Sequence, residues 1–493
     1  MTISERGLAR RSVGPTTLWV FGVSASAPMT VLAGGVTTTY ATGVVGVPLS
    51  FLVLGAALGL AAVGFTALVR DTPPHAATFA ALLTHGLGRG PGLSGAAVAL
   101  LAYNAVQIGL YGLLGATVSA LLGGPWWAWA LVAWPLLTAG GIAHLRAGAR
   151  VVAGVLAVEI AVIACVVAAA LTEPAEPAAS WEPVGADRLF TDGVGTVLAL
   201  GIAAFVGFES VTAFGEETRD RPSTARAMTA VLVFLSLLYA TASWALAVAV
   251  GPTAVADAAR AEGAQLPITV LRDAFGDTVA GLAVVLVILS VLGAMTAFHQ
   301  VVARYLYALG REGVLPSRLA SIRDSGRAER GGVPVSGSIV QSALALAVVS
   351  TAALTGVDPV GLFQQLSTLA AIGVMVLMIA VCAATIGYYR SLAKRSSPTP
   401  LPSTWQRLHA PLLGAIAMTV VLVITVTQLG TTTGDPTGNS RWLLPAVLLA
   451  TAAAGPAWAG WLRRHHPAAW TAIGRGQPRP LAVVDRALSD LPL

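Results

Sequence analysis

The chain has 493 residues, 56% hydrophobic and 11% charged, against about 25% charged in an average soluble protein. With a mean hydropathy of +0.77, it reads as a polytopic membrane protein. The net charge of +6 is spread through the loops between apolar runs, so no nucleic-acid partner is expected.

In chain order, Arg6, Arg10 and Arg11 precede an apolar stretch that superficially resembles a signal peptide ending at Ala25-Ser26-Ala27. The apolar pattern continues to Ala41, too long for a signal core, so the first run is read as a retained span. Twelve spans are predicted: 16–41, 46–69, 93–121, 126–145, 150–171, 192–215, 227–251, 277–305, 334–355, 359–389, 409–429 and 441–462. An even number puts both termini on one side. Of the 29 Lys and Arg residues, only Arg188, Arg260, Arg272 and Arg441 fall on the other side. That asymmetry predicts cytoplasmic termini and a plasma-membrane protein, with residues 172–191 as an extracellular loop.

Span 1 carries a mid-span proline in Ser26-Ala27-Pro28-Met29-Thr30. Proline removes a backbone donor, so the span is either kinked or broken there. The loop Thr78 to Gly90 predicts a short interfacial helix ending at glycine. Span 3 places Tyr103, Gln107 and Tyr111 on one face, with Asn104 beside them. They serve either a binding site or bonds between spans. Span 5 holds Glu159 and span 6 holds Glu209, the only carboxylates deep within apolar runs. An intramembrane carboxylate is costly, hence either functional or hydrogen-bonded as a neutral acid to a neighbouring span. Glu209 lies in Phe205-Val206-Gly207-Phe208-Glu209-Ser210, where a central glycine makes unwinding cheap. Spans 1 and 6 are therefore both interrupted, and they are five apart. Corresponding interruptions point to an inverted repeat with the site between its halves. Span 8 carries Met295, Thr296, Phe298 and His299, and runs on into a charged stretch, Arg304 to Leu319, whose charges can pair with Glu216 and Glu217. Span 10 begins Gln364-Gln365-Leu366-Ser367-Thr368 near its outer end, and residues 463–493 form a tail without recognisable chemistry.

Aqueous enzyme signatures do not occur. The single lysine, Lys394, follows Ala393, so there is no Walker A loop. There is no His-Glu-x-x-His and no Cys-x-x-Cys; Cys165 and Cys382 fall within apolar runs. No cofactor, no metal and no enzymatic activity are expected.

Residues 205–218, Phe-Val-Gly-Phe-Glu-Ser-Val-Thr-Ala-Phe-Gly-Glu-Glu-Thr, resemble the sixth helix of the amino acid–polyamine–organocation (APC) superfamily. Residues 303–316, Ala-Arg-Tyr-Leu-Tyr-Ala-Leu-Gly-Arg-Glu-Gly-Val-Leu-Pro, resemble the loop after its eighth helix. The resemblance implies an all-α LeuT-type fold: a first five-helix repeat over 16–171, a second over 192–389, and helices 11 and 12 over 409–462. It also implies amino acid or amine transport driven by protons or by exchange. Many members have Gly-Ser-Gly in the break of helix 1, where this chain has Pro28-Met29-Thr30. Some proton-coupled relatives carry a lysine on helix 5, near where Glu159 falls.

These readings combine into an expected proton-coupled importer of an amino acid or amine, with an exchanger, a channel or a sensor on the same scaffold as alternatives. Ser26, Ala27, Pro28, Met29 and Thr30 would offer half-helix amides to a substrate carboxylate. Asn104, Gln107 and Gly207 would line the site, Phe205 and Phe208 would cover it, and Glu209 would hold an ammonium. Glu159, with Glu209, would carry the coupling proton.

Overall fold

The computed structural model describes residue 8 and residues 13–72, 78–142, 145–218, 221–322, 332–394, 401–434 and 438–475. Among them, eleven helices are long and apolar enough to cross a membrane. They occupy the predicted positions of spans 1–3 and 5–12. The predicted span 4 is Trp126–Ile142, a shorter apolar helix of 17 residues. At 1.5 Å per residue it is about 26 Å long, slightly less than a bilayer core of about 30 Å. Residues 143 and 144, within its predicted run, lie outside the described residues, as does most of the tail.

Span 8 belongs to a long helical segment, Leu266–Arg311, interrupted at Gly276 with φ 81° and ψ 177°. Glycine adopts this conformation without steric cost, and it separates the preceding helical stretch from the apolar run beyond it. The loop helix Phe79–Leu87 ends at Gly88 as expected. Its first half, Phe79 to Leu83, is buried against spans 3 and 10, while His85 and Leu87 are exposed. The Phe79 N–H is also bonded by the Tyr305 hydroxyl oxygen at 3.2 Å.

Span 1 (Pro15–Tyr40) and span 6 (Val194–Glu217) are the most buried of the spans. Span 1 packs against spans 5, 7 and 8. Span 2 packs against span 7, span 3 against span 8 and span 4 against span 9. Span 3 also meets span 10, and span 5 meets span 8; span 5 meets span 7, and span 2 meets span 10. Spans 11 and 12 lie outside, on spans 2 and 10 and on spans 3 and 10 respectively.

Candidate substrate site

Span 1 breaks at one point. Helix Pro15–Ala25 stops, and Ala27 takes φ 47° and ψ 68°. It is the only non-glycine with positive φ among the described residues. A left-handed alanine costs roughly 1–2 kcal/mol, so the surroundings must hold it there. The chain then re-enters helical geometry at once. Pro28, Met29 and Thr30, expected to be unwound, form its first turn. The reason is local: the first helical position has no intrahelical use for an N–H, so proline fits it. A π-helical segment, Val31–Val36, follows.

Span 6 breaks at Gly207, with φ 114° and ψ −19°, between a short 3₁₀ turn ending at Phe205 and a ten-residue 3₁₀ segment, Phe208–Glu217. Such runs rarely exceed 3–4 residues, and longer ones mark strained or mobile helices. The two breaks touch. A Cβ placed on Gly207 would lie 2.9 Å from the Ala25 Cβ and 3.2 Å from Phe298 Cζ. Ala25 ends the first half of span 1, and Phe298 is on span 8.

Each break is capped by a buried carboxylate. Glu209 is 0% exposed and folds back onto its own break. It accepts bonds from the Gly207 N–H (3.1 Å), from its own N–H and from the Tyr103 hydroxyl of span 3 (3.0 Å). Glu159 of span 5 is 3% exposed and reaches the other break. It accepts from the Met29 N–H and from the Ser290 hydroxyl of span 8 at 3.1 Å. Tyr239 of span 7 donates to the Ser26 carbonyl at 3.1 Å, satisfying the end of the first half-helix. Among the described residues no ion pair engages Glu159 or Glu209.

Aromatic rings close the region. Phe205 meets Tyr239 edge-on at 6.0 Å and Phe51 at 6.2 Å, and Tyr103 lies 5.9 Å from Phe298. A cavity of about 10 Å³, at the lower limit for one water, lies where Phe205, Val206 and Phe208 face Leu58 of span 2 and Ala371, Val374 and Met375 of span 10.

Not every expected lining residue is at the breaks. Gln107 accepts a bond from Gln341 of span 9 at 2.9 Å, and the Asn104 amide donates to the Leu100 carbonyl of its own helix at 2.7 Å. His299 bonds Ser338 of span 9 at 2.6 Å, and Gln300 bonds the Gly140 carbonyl of span 4 at 3.1 Å. Sequence reasoning missed Tyr239 and Ser290 altogether. Tyr103 was noticed only as part of the span 3 face, four residues before Gln107.

Beyond the site, span 6 is clamped to span 8 by two arginines. Arg304 pairs with Glu217 through both nitrogens (2.5 and 3.2 Å), with side chains only 6% and 4% exposed. Arg304 also donates to the Gln300 carbonyl and stacks over Phe214, 4.6 Å from its ring centre. Arg311 holds Glu216 with two bonds of 2.9 Å. The N-terminal segment joins this end: the Val13 N–H donates to the Glu217 carbonyl at 2.9 Å. The expected pairing of the post-span-8 charges with Glu216 and Glu217 is thus formed.

A comparison with curated proteins returns no match. Residues 16–452, from the start of span 1 into span 12, match the amino acid permease family. Two broken spans among eleven, on a chain matched over that length, identify the protein as a member of the amino acid permease family of the APC superfamily.

Proposed function

We propose that this permease is a secondary-active importer of an amino acid or related amine, working by alternating access around the breaks of spans 1 and 6. The observation that carries the reading is the meeting of two helix breaks, each with a buried carboxylate on its N–H groups. Irregular backbone at membrane depth is tolerated where it is enclosed in protein or lines a cavity, and broken helices of this kind form transporter sites.

The packing supports a five-plus-five repeat. Exchanging each span n of the first five with span n+5 leaves the pairs 2–7, 3–8 and 4–9 unchanged. The same exchange turns 3–10 into 5–8 and 5–7 into 2–10, and all of these contacts occur. Five spans per half is odd, so the halves of a LeuT-type fold run in opposite directions through the bilayer. The arginine bias supports a plasma-membrane permease with cytoplasmic termini and, on the same side, the Arg304 clamp. The clamp then acts as the closed inner gate.

Glu159 suits the coupling proton because it joins three spans. Ionised, it accepts from Met29 of span 1 and Ser290 of span 8; protonated, it loses acceptor strength toward both. Glu209, bonded within its own span and to Tyr103, suits a substrate ammonium. Counterflow in proteoliposomes tests the transporter reading. A ligand found by thermal shift should exchange saturably across the membrane and compete with itself. Uncompeted flux linear in concentration would instead mark a channel and overturn the reading.

A further inference from the structure

The substrate class can be narrowed, on the footing of the transporter reading above. A zwitterionic amino acid needs a partner for its carboxylate as well as its ammonium. Free N–H groups at the start of a broken half-helix are the natural partner. Here several of those groups are missing or already engaged. In span 1, Pro28 has no N–H, and the Met29 N–H points at Glu159. In span 6, the Gly207 N–H and the Glu209 N–H both serve the Glu209 carboxylate. At these positions a substrate carboxylate would have to displace a protein carboxylate or lie beside it, a like-charge contact among buried groups.

The same geometry favours a cation. Among the described residues, the bonding partners of both carboxylates are hydroxyls and amides, with no arginine or lysine to neutralise them. Ser26 Oγ and Thr30 Oγ1 flank the span 1 break, are more than nine-tenths buried, and have no hydrogen-bond partner among the described residues. Both can accept from an ammonium. Tyr103, Phe205, Phe298 and Tyr239 add ring faces, and aromatic rings attract desolvated cations. We infer that the permease takes an organic cation without a carboxylate, a simple amine, and discriminates against the amino acid of the same side chain.

Matched pairs test this. Purified full-length protein is titrated by thermal shift with the common amino acids and with their decarboxylation products, for example phenylalanine and phenethylamine or lysine and cadaverine. Binding pairs are then carried into counterflow. At least one amine should stabilise the protein, with its parent amino acid about tenfold weaker or worse. Phenylalaninamide, which keeps the bulk but loses the carboxylate charge, should behave like the amine wherever phenethylamine binds. An amino acid that binds as tightly as its amine overturns the inference and leaves the transporter reading intact. Ligand-free behaviour across both columns overturns both. Glu159→Gln keeps an acceptor for Met29 but removes one charge, so the amine-to-amino-acid ratio should narrow by about fivefold or more. Glu209→Gln provides the same readout if Glu159→Gln does not fold. An unchanged ratio in a folded variant removes its carboxylate as the source of discrimination; unchanged ratios in both overturn the inference.

Discussion

Buried carboxylates at two levels of the protein are satisfied in opposite ways. At the breaks, Glu159 and Glu209 receive, among the described residues, neutral donors alone: backbone N–H groups and the hydroxyls of Ser290 and Tyr103. Farther along span 6, Glu217 and Glu216 each receive a two-pronged arginine. The difference separates two jobs. A carboxylate locked to arginine has its charge matched permanently and serves as a clamp that must be pulled apart. A carboxylate held by neutral groups has an unmatched charge, which a proton or a substrate cation can supply. On the proposed reading, the protein keeps its fixed charge pairs at one end of span 6 and its exchangeable charge at the breaks.

Substitutions can break or sharpen this contrast. The largest effect is expected at the clamp. Glu217→Gln leaves the Arg304 guanidinium buried without its counterion, and Arg304→Ala does the reverse. Either should cost about 3–5 kcal/mol of stability, read as a large fall in thermal midpoint; a fall no greater than that of Glu209→Gln would erase the distinction. Next comes Gly207→Val. Its backbone lies at φ 114°, and a side chain there would strike Ala25 and Phe298. We expect loss of substrate binding, and a normal Michaelis constant would remove span 6 from the site. Glu209→Gln should be mild in stability, within about 1 kcal/mol, because the amide oxygen can still accept from Gly207 and Tyr103. It should nonetheless weaken an amine by about tenfold or more. Arg311→Ala should cost less stability than Arg304→Ala, because its pair with Glu216 is less completely buried, with side chains 11% and 13% exposed.

How much of this was legible beforehand follows from the range of the signals. Hydropathy located the long spans, because twenty apolar residues leave little alternative. Glu159 and Glu209 stood out because deep carboxylates are scarce and costly. The break of span 6 was legible from Gly207. The break of span 1 lies at the start of the expected stretch Ser26 to Thr30, because proline marks the end of a preceding helix and the start of the next equally well. Contacts between spans were not legible. The spacing of Tyr103 and Gln107 put both on one face, but which neighbour each meets depends on the rotation and height of that helix. Tyr103 reaches Glu209, while Gln107 reaches Gln341 one turn along. Tyr239 and Ser290 carried no signal, since tyrosine and serine are ordinary in membrane helices and gain meaning only through the groups they meet.

The measurement closest to the central claim compares Glu159→Gln with the unsubstituted protein in proteoliposomes, with and without an inward proton gradient. If the exchangeable charge at the span 1 break couples transport, the variant keeps substrate binding and counterflow. Its uptake should no longer accelerate when the gradient is imposed, and its accumulation should fall to the equilibrium level. Full gradient-driven accumulation by Glu159→Gln would contradict the account and place the coupling proton elsewhere, with Glu209 the first residue to examine.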